Sequence, residues 1–227
     1  MKRISTAIVM ALSLMSAGFT VNAVAADQSQ PNQSGQSSQS PQQLVQQSVD
    51  NLMSKLDNRQ QYYRSHPEEL KQVVRDNIVP LIDWQYAAAS VMGKYFRAAT
   101  PEQRSRFLNV FRQTLVDTYS QGLVTFDYQS VNVLSSDQDQ RYQDQASVDM
   151  EVVGTDGQRY PVSYTLRQSN GQWKVVNVVV NGINLGLTFR NQFEQAMQNN
   201  NRNIDAVING WAPEVDLEEG GNQQAQG

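Results

Sequence analysis

The sequence predicts an α+β fold in which about six helices pack on one face of a curved sheet of about four antiparallel strands. Three observations support this. The first half of the chain repeats apolar residues at helical spacing after Ser-Pro and Thr-Pro pairs. The next part alternates apolar and polar residues between Asp-Gly and Asn-Gly turns, the pattern of antiparallel strands with one face on a core. The segment Trp173–Phe193 then passes from a strand pattern directly to a helix pattern.

The first two predicted helices begin at prolines. Ser40-Pro41 supplies an N-cap and a proline at the first helical position, and an apolar stripe follows from Leu44 to Leu56. A second helix begins at Pro67 and ends at Pro80.

The next two helices have clearer capping signals. Asp83 is the predicted N-cap of a helix that stops at Gly93. Thr100, Pro101 and Gln103 form the pattern of a capping box, which predicts the start of a long helix. The apolar face of that helix, which ends near Gly122 or one turn later, consists of Phe107, Phe111, Leu115 and Tyr119.

Four strands are predicted next, because apolar residues recur at every second position. The apolar positions of the first three are Val131, Val133, Val148, Met150, Val152, Tyr160, Val162, Tyr164 and Leu166. The fourth carries valines on both faces from Val175 to Val180, which predicts a central strand.

A two-residue turn at Asn170-Gly171 predicts the register of the last two strands. The predicted pairs are Leu166 with Val175, Tyr164 with Asn177, and Val162 with Val179. The inner face of the fourth strand would then be Trp173, Val175, Asn177, Val179 and Asn181. The two amides on this face would need hydrogen-bond partners.

Two helices complete the predicted fold. The face of the longer one repeats every four residues, at Leu185, Phe189, Phe193 and Met197. Asn203 is the predicted N-cap of a short last helix that Pro213 ends.

The two termini are predicted to lie outside the folded domain. Residues 1–26 combine a basic start, a short apolar run and small residues up to Ala26, which predicts a signal peptide cleaved near that residue. The alternative, a membrane anchor, is disfavoured because the apolar run is well short of the roughly 20 residues that span a bilayer. Residues 27–40 and 213–227 are predicted to be a disordered leader and a disordered acidic tail, leaving one domain at residues 41–212.

Composition limits the possible functions. The chain has no cysteine, which excludes disulfides and thiol chemistry and, for an exported protein, favours the bacterial periplasm. The formal net charge of −4 becomes −6 when Lys2 and Arg3 leave with the signal peptide. An acidic chain lacks the basic surface that nucleic-acid binding requires.

The sequence contains few of the residue patterns that indicate an enzyme active site. His66 is the single histidine, so a histidine-based zinc site is excluded, and no Gly-x-Ser-x-Gly motif accompanies it. Asp149 and Glu151 lie on the polar face of a predicted strand, where solvation is the ordinary explanation. No metal or organic cofactor is predicted.

A cone of helices on a curved sheet can enclose a cavity. The residues predicted to form its wall are Met92, Tyr95, Phe96, Phe111, Leu115, Tyr119, Val162, Tyr164, Val175, Val179, Ile183 and Leu187. Periodicity alone favours the alternative, a solid core made of the same residues.

Several stretches together resemble the MlaC family of periplasmic phospholipid-binding proteins, also called the toluene-tolerance family. The matching residues are Tyr86-Ala87, Val91 to Phe96, Ala99 to Gln103, Phe107, Phe111, Trp173, Gly182-Ile183 and Phe189 to Phe193. They occur in family order from about Leu44 to Trp211, and the run Ala-Thr-Pro-Glu-Gln-Arg before two phenylalanines is the most specific of them.

The resemblance implies a monomeric carrier with an NTF2-like fold whose cargo is a diacyl phospholipid. Its partners would be an outer-membrane lipoprotein–porin complex and an inner-membrane ABC transporter with an MCE-domain ring, and its role would be to maintain outer-membrane lipid asymmetry. Tyr86 and Arg190 join the predicted lipid-binding residues, with Arg190 near the mouth facing a phosphate or a carboxylate. The sequence departs from the family pattern at Asn177 and Asn181, where acidic residues are usual, so a salt bridge there is in doubt.

Two alternatives to the carrier are considered. The first is an enzyme that acts on a small apolar substrate in the same pocket. The second is a periplasmic chaperone or adaptor with a solid core.

Overall fold

The computed structural model of the chain describes residues 39–135 and 142–215. The predicted signal peptide, most of the leader and the tail from residue 216 onward lie outside the described residues. The helices are α1 (Pro41–Leu56), α2 (Gln60–Ser65), α3 (Pro67–Asn77), α4 (Trp84–Met92), α5 (Pro101–Tyr119), α6 (Gly122–Thr125), α7 (Leu185–Asn199) and α8 (Ile204–Asn209). Two 3₁₀ turns occupy Val79–Leu81 and Gly93–Phe96. The strands are β1 (Tyr128–Val133), β2 (Gln145–Gly154), β3 (Arg159–Ser169), β4 (Gln172–Val180) and β5 (Ile183–Asn184).

The helix starts follow the capping signals. Ser40 and Thr100 each form a complete capping box with the glutamine three residues later, and Asp83 accepts from the Tyr86 amide at 3.0 Å. These predictions are confirmed. The helices that were not predicted, α2 and α6, have six and four residues and carry no capping side chain.

The sheet has five antiparallel strands in the order β1-β2-β3-β4-β5, so the prediction of four was wrong by one. The extra strand β5 contains only Ile183 and Asn184, which return along β4 after a turn whose residues Asn181 and Gly182 both have positive φ. β3 is the middle strand of the five, and β4 pairs with β3 on one side and with the short β5 on the other, so β4 is an inner strand, as predicted.

The predicted register of β3 and β4 is correct only near their turn. Leu166 pairs with Val175 as expected, but an extra residue in β4, Val176, forms a bulge. Beyond it Tyr164 pairs with Val178, not Asn177, and Val162 pairs with Val180, not Val179. Because of the bulge, Val178 and Val180 take the pairing positions that the turn alone had assigned to Asn177 and Val179.

The outer edge of β4 is partly covered by the segment between α3 and α4. Ile82 forms a parallel bridge with Val175, and the Asp83 amide donates to the Val175 carbonyl at 2.9 Å. Lys174 Nζ also donates to the Pro80 carbonyl at 2.6 Å. These bonds hold residues 80–83 against the part of β4 that β5 does not cover.

Two hydrophobic clusters flank the site described below. The helical cluster joins α4, α5, α7 and α8, and its centre is an edge-to-face contact of Phe107 and Phe193 with ring centroids 4.9 Å apart. The sheet cluster joins α1 to the sheet through Val45, Val148 and Leu166. Val148 and Leu166 lie on the inner face of the sheet, as the alternating pattern predicts.

The folded chain continues past the last helix. Pro213 is buried, its carbonyl accepts from the Tyr119 hydroxyl at 3.3 Å, and Val215 packs on the helical cluster. The first three residues of the predicted acidic tail thus belong to the folded domain. Within the described ranges, no helix is long and apolar enough to cross a bilayer.

Candidate functional site

A cavity with two lobes lies between the helices and strand β4. The helical lobe has a volume of about 280 Å³ and the sheet lobe about 470 Å³. The two lobes share five lining residues: Ile82, Trp84, Leu115, Leu185 and Phe189. We call these five the junction. Because these five side chains line both lobes, the two lobes are adjacent.

The helical lobe is apolar. Besides the junction, its lining consists of Val74, Ile78, Val79, Val116, Tyr119, Ser120, Leu123 and Val215. Its polar groups already have partners: Trp84 Nε1 donates to the Val79 carbonyl at 2.8 Å, and the Ser120 hydroxyl donates to the Val116 carbonyl. The Tyr119 hydroxyl bonds to the chain at Pro213, as described above. No polar side chain of this lobe therefore calls for water or a polar ligand.

The sheet lobe is more polar and opens at exposed residues. Besides the junction, its lining consists of Tyr86, Ala87, Ser90, Val91, Phe111, Val175, Val176, Asn177, Val178, Asn184, Gly186, Leu187 and Arg190. Tyr86 and Leu187 line this lobe and are 41% and 54% exposed, so the lobe opens to solvent beside them, and we call this opening the mouth. Arg167 lies with its guanidinium carbon 5.7 Å from the centroid of the Tyr86 ring.

Two amides hold the start of α7 against β4. Asn184 Oδ1 accepts from the Leu187 amide at 3.0 Å and caps α7, while Asn177 Oδ1 accepts from the Gly186 amide at 3.1 Å. A Cβ atom at position 186 would lie 2.5 Å from Asn177 Oδ1, so only glycine fits this approach.

Arg190 lies on α7 at the sheet lobe and is exposed. Its guanidinium lies over Gly93, where a Cβ atom would come within 3.0 Å of Nε. Glu194, one turn further along α7, forms an ion pair with Lys94, and that hydrogen bond is the main cause of its lowered pKa. Among the described residues no carboxylate forms an ion pair with Arg190, so its charge is available to a ligand at the mouth.

The structure brings seven of the predicted lipid-binding residues together around the cavity. They are Tyr86, Phe111, Leu115, Tyr119, Val175, Leu187 and Arg190. The others line neither lobe: Met92 and Tyr95 belong to the helical cluster, Tyr164 to the sheet cluster, and Val162, Val179 and Ile183 to the sheet. Phe96, also predicted in the wall, packs on the helical cluster. Burial raises the pKa of the Tyr164 phenol to about 12.

Sequence reasoning missed several lining residues. Ile78 and Val79 lie at the end of the second predicted helix, Ile82 falls between that helix and the next, and Trp84 stands at a helix start. The available signal was the apolar run from Ile78 to Ile82 around Pro80, because a solvated loop rarely carries so many large apolar residues.

The groups considered for catalysis lie away from the cavity. His66 is exposed, stacks on Tyr62 with ring centroids 3.9 Å apart, and donates through Nδ1 to the Tyr62 carbonyl at 2.8 Å. Glu151 forms an ion pair with Arg159. In the part of the chain that the structure describes, no group of three or more His, Asp or Glu side chains is placed to hold a metal ion.

Comparisons with known proteins agree on one family. Residues 46–213 match the family described as MlaC protein. The toluene tolerance protein ttg2D of Pseudomonas putida is 39% identical over 178 residues, which cover 78% of this chain and 82% of that protein. The intermembrane phospholipid transport system binding protein MlaC of Haemophilus influenzae is 26% identical over 149 residues, covering 64% and 69% of the two chains.

A solved structure shares the fold. The phospholipid-binding protein from Ralstonia solanacearum, solved in complex with a phospholipid, superposes with a TM-score of 0.66 at 23% identity. The match covers 82% of this chain and 98% of that one. It confirms the prediction of helices packed against an open antiparallel sheet.

Proposed function

Because this chain belongs to the MlaC family, we propose that it is a periplasmic carrier that holds the acyl chains of a phospholipid in the two-lobed cavity. The observation that carries the proposal is the helical lobe, whose walls are apolar and whose polar groups all bond within the protein. Such a lobe suits hydrocarbon, since no lining group loses a hydrogen bond when water is replaced.

The related proteins support the choice of cargo. The Haemophilus influenzae relative is named for phospholipid transport, and the Ralstonia solanacearum structure contains a phospholipid. A diacyl lipid also suits the cavity's chemistry, because a partly polar lobe adjoins an apolar one. The headgroup would remain at the mouth near Tyr86 and Leu187.

The proposal includes a shuttle role with two docking partners. The carrier would take lipid between an outer-membrane lipoprotein–porin complex and an inner-membrane ABC transporter with an MCE-domain ring, and so maintain lipid asymmetry. Support comes from the family and from the transport system in the relative's name. The periplasmic location is supported by the basic start, apolar run and small residues before residue 27.

The test is to purify the protein from cells under native conditions, extract it with organic solvent and analyse the extract by mass spectrometry. We expect about one diacyl phospholipid per protein, in line with one cavity. An empty protein would support the adaptor alternative. A bound small metabolite without lipid would support the enzyme alternative.

A substitution at the mouth tests the role proposed for Arg190. Arg190→Ala is expected to weaken lipid retention roughly fivefold, because an exposed charge-assisted hydrogen bond to a phosphate contributes about 1 kcal/mol. Retention is measured as the lipid that remains after incubation with excess empty acceptor vesicles.

Arg97→Ala is the matched control. Arg97 is exposed, carries the same charge and lines neither lobe. If Arg190→Ala retained lipid as well as Arg97→Ala and unfolded at the same temperature, Arg190 would be an ordinary surface residue.

A further inference from the structure

The two lobes differ in whether their polar groups are already bonded. In the helical lobe the polar side chains have partners inside the protein, as described above. In the sheet lobe Ser90 and Asn177 each have a donor group for which the described residues offer no acceptor. These groups come from two different elements, α4 and β4, and line the same space.

The serine hydroxyl is unusual for a helix of this protein. A serine within a helix commonly donates to the carbonyl four residues earlier, as Ser48 does to Leu44 at 2.6 Å and Ser120 does to Val116. Ser90 forms no such bond within residues 39–135 and 142–215, although it is only partly exposed. Its hydroxyl is free to bond to a ligand in the sheet lobe.

The orientation of the Asn177 amide follows from its partner. A backbone N–H can only donate, so the atom that faces the Gly186 amide must be the side-chain oxygen. The NH₂ group is then the part of Asn177 without a partner in the described structure. The Gly186 contact therefore determines which end of the amide is bonded to the chain and leaves the NH₂ group as the available donor.

We infer that Ser90 and Asn177 form a subsite for the ester carbonyl groups of a glycerolipid, which rests on the proposed function. Both side chains are neutral donors, and an ester carbonyl is a neutral acceptor. A phosphate suits the exposed cation Arg190 at the mouth better. The esters of a diacyl lipid lie between its phosphate and its chains, so this subsite directs the chains towards the junction and the helical lobe.

The experiment compares an ester lipid with its ether analogue. The purified protein, stripped of lipid, is incubated with equal amounts of a diacyl phosphatidylglycerol and a dialkyl ether phosphatidylglycerol with the same chain length. The ratio of the two bound lipids is measured by mass spectrometry. We expect an enrichment of the ester lipid by about fivefold, which corresponds to the contribution of one neutral hydrogen bond.

Two variants remove the donors while keeping the fold. Ser90→Ala deletes the hydroxyl in a helix, where alanine is favoured. Asn177→Asp keeps an acceptor oxygen for the Gly186 amide and removes the NH₂ group. Each is expected to lower the ester-to-ether ratio towards one. Both lipids carry the same anionic headgroup, so repulsion between that headgroup and the aspartate lowers the total bound without altering the ratio.

Ser120→Ala is the control, because Ser120 lines the helical lobe and its hydroxyl already bonds to the chain. It should keep the ester preference. A wild-type ratio of one, or a preference that survives both variants, would overturn the subsite while leaving the carrier intact. If the wild-type protein bound neither lipid, the proposed function itself would fail. Circular dichroism of each variant separates loss of binding from loss of folding.

Discussion

Leu115→Trp is expected to remove most of the bound lipid. Leu115 belongs to the junction, where the same side chains line both lobes, so a larger side chain there would separate the lobes. If an acyl chain loses about eight buried methylenes, its binding weakens by about 6 kcal/mol, at about 0.8 kcal/mol per methylene. Overpacking itself costs about 1–3 kcal/mol of folding stability. The measurement is the lipid-to-protein ratio after native purification.

Leu108→Trp is the control for this substitution. Leu108 lies on the same helix and is also partly buried, but it packs on the helical cluster and lines neither lobe. We expect a similar loss of melting temperature and a normal lipid content. Full lipid content in a folded Leu115→Trp protein would mean that the chains do not cross the junction.

Local signals in the sequence were sufficient for most of the fold. The caps at Ser40, Asp83 and Thr100 fixed three helix starts, because each satisfies backbone amides that have no partner within the helix. The turn at Asn170-Gly171 has positive φ at both residues, as a tight hairpin requires, and it fixed the nearest strand pair.

The register error arose from a feature that the local sequence hardly marks. Val176 is one of five valines in β4, any of which could have been the extra residue. The Asp83 amide donates to the Val175 carbonyl next to the bulge. That contact comes from a distant part of the chain, so a periodic pattern within β4 could not reveal it.

The site was harder to predict because a cavity wall and a core have the same composition. Phe111 and Leu115 share one helix face with Phe107, yet only the first two line the cavity. The distinction depends on where the segment between α3 and α4 docks on β4. That docking also brings Ile82 and Trp84 to the junction, through contacts between residues about 90 positions apart.

The second large effect that we expect concerns the exchange of cargo. A two-chain lipid buries about thirty methylenes, and their transfer from water gains roughly 20 kcal/mol or more. Escape from the protein into bulk water is therefore negligible. A bilayer buries the same methylenes, so the free energy of transfer between bilayer and cavity is close to zero and depends on headgroup contacts and on protein strain.

The barrier to this near-neutral transfer lies in the protein. In the proposed complex, acyl chains in the helical lobe pass the junction and then the mouth at Tyr86 and Leu187 before they reach a bilayer. If the passage opens only partly, some methylenes are exposed to water during exit. Each exposed methylene raises the free-energy barrier by about 0.8 kcal/mol. The proposed docking partner would lower this barrier by holding the mouth open against the membrane. Net transport in one direction would still require an energy source or a lipid gradient.

We therefore expect loaded protein to exchange lipid slowly with protein-free liposomes and much faster with liposomes that contain a membrane-embedded partner. If docking to the partner leaves about four fewer methylenes exposed to water along the exit path, the barrier falls by about 3 kcal/mol. The exchange rate then rises more than about a hundredfold. Transfer of a fluorescent lipid measures both rates, with the same partner in detergent as the control. Rapid exchange with protein-free liposomes would contradict gating by a partner, because the cavity would then open to the bilayer unaided.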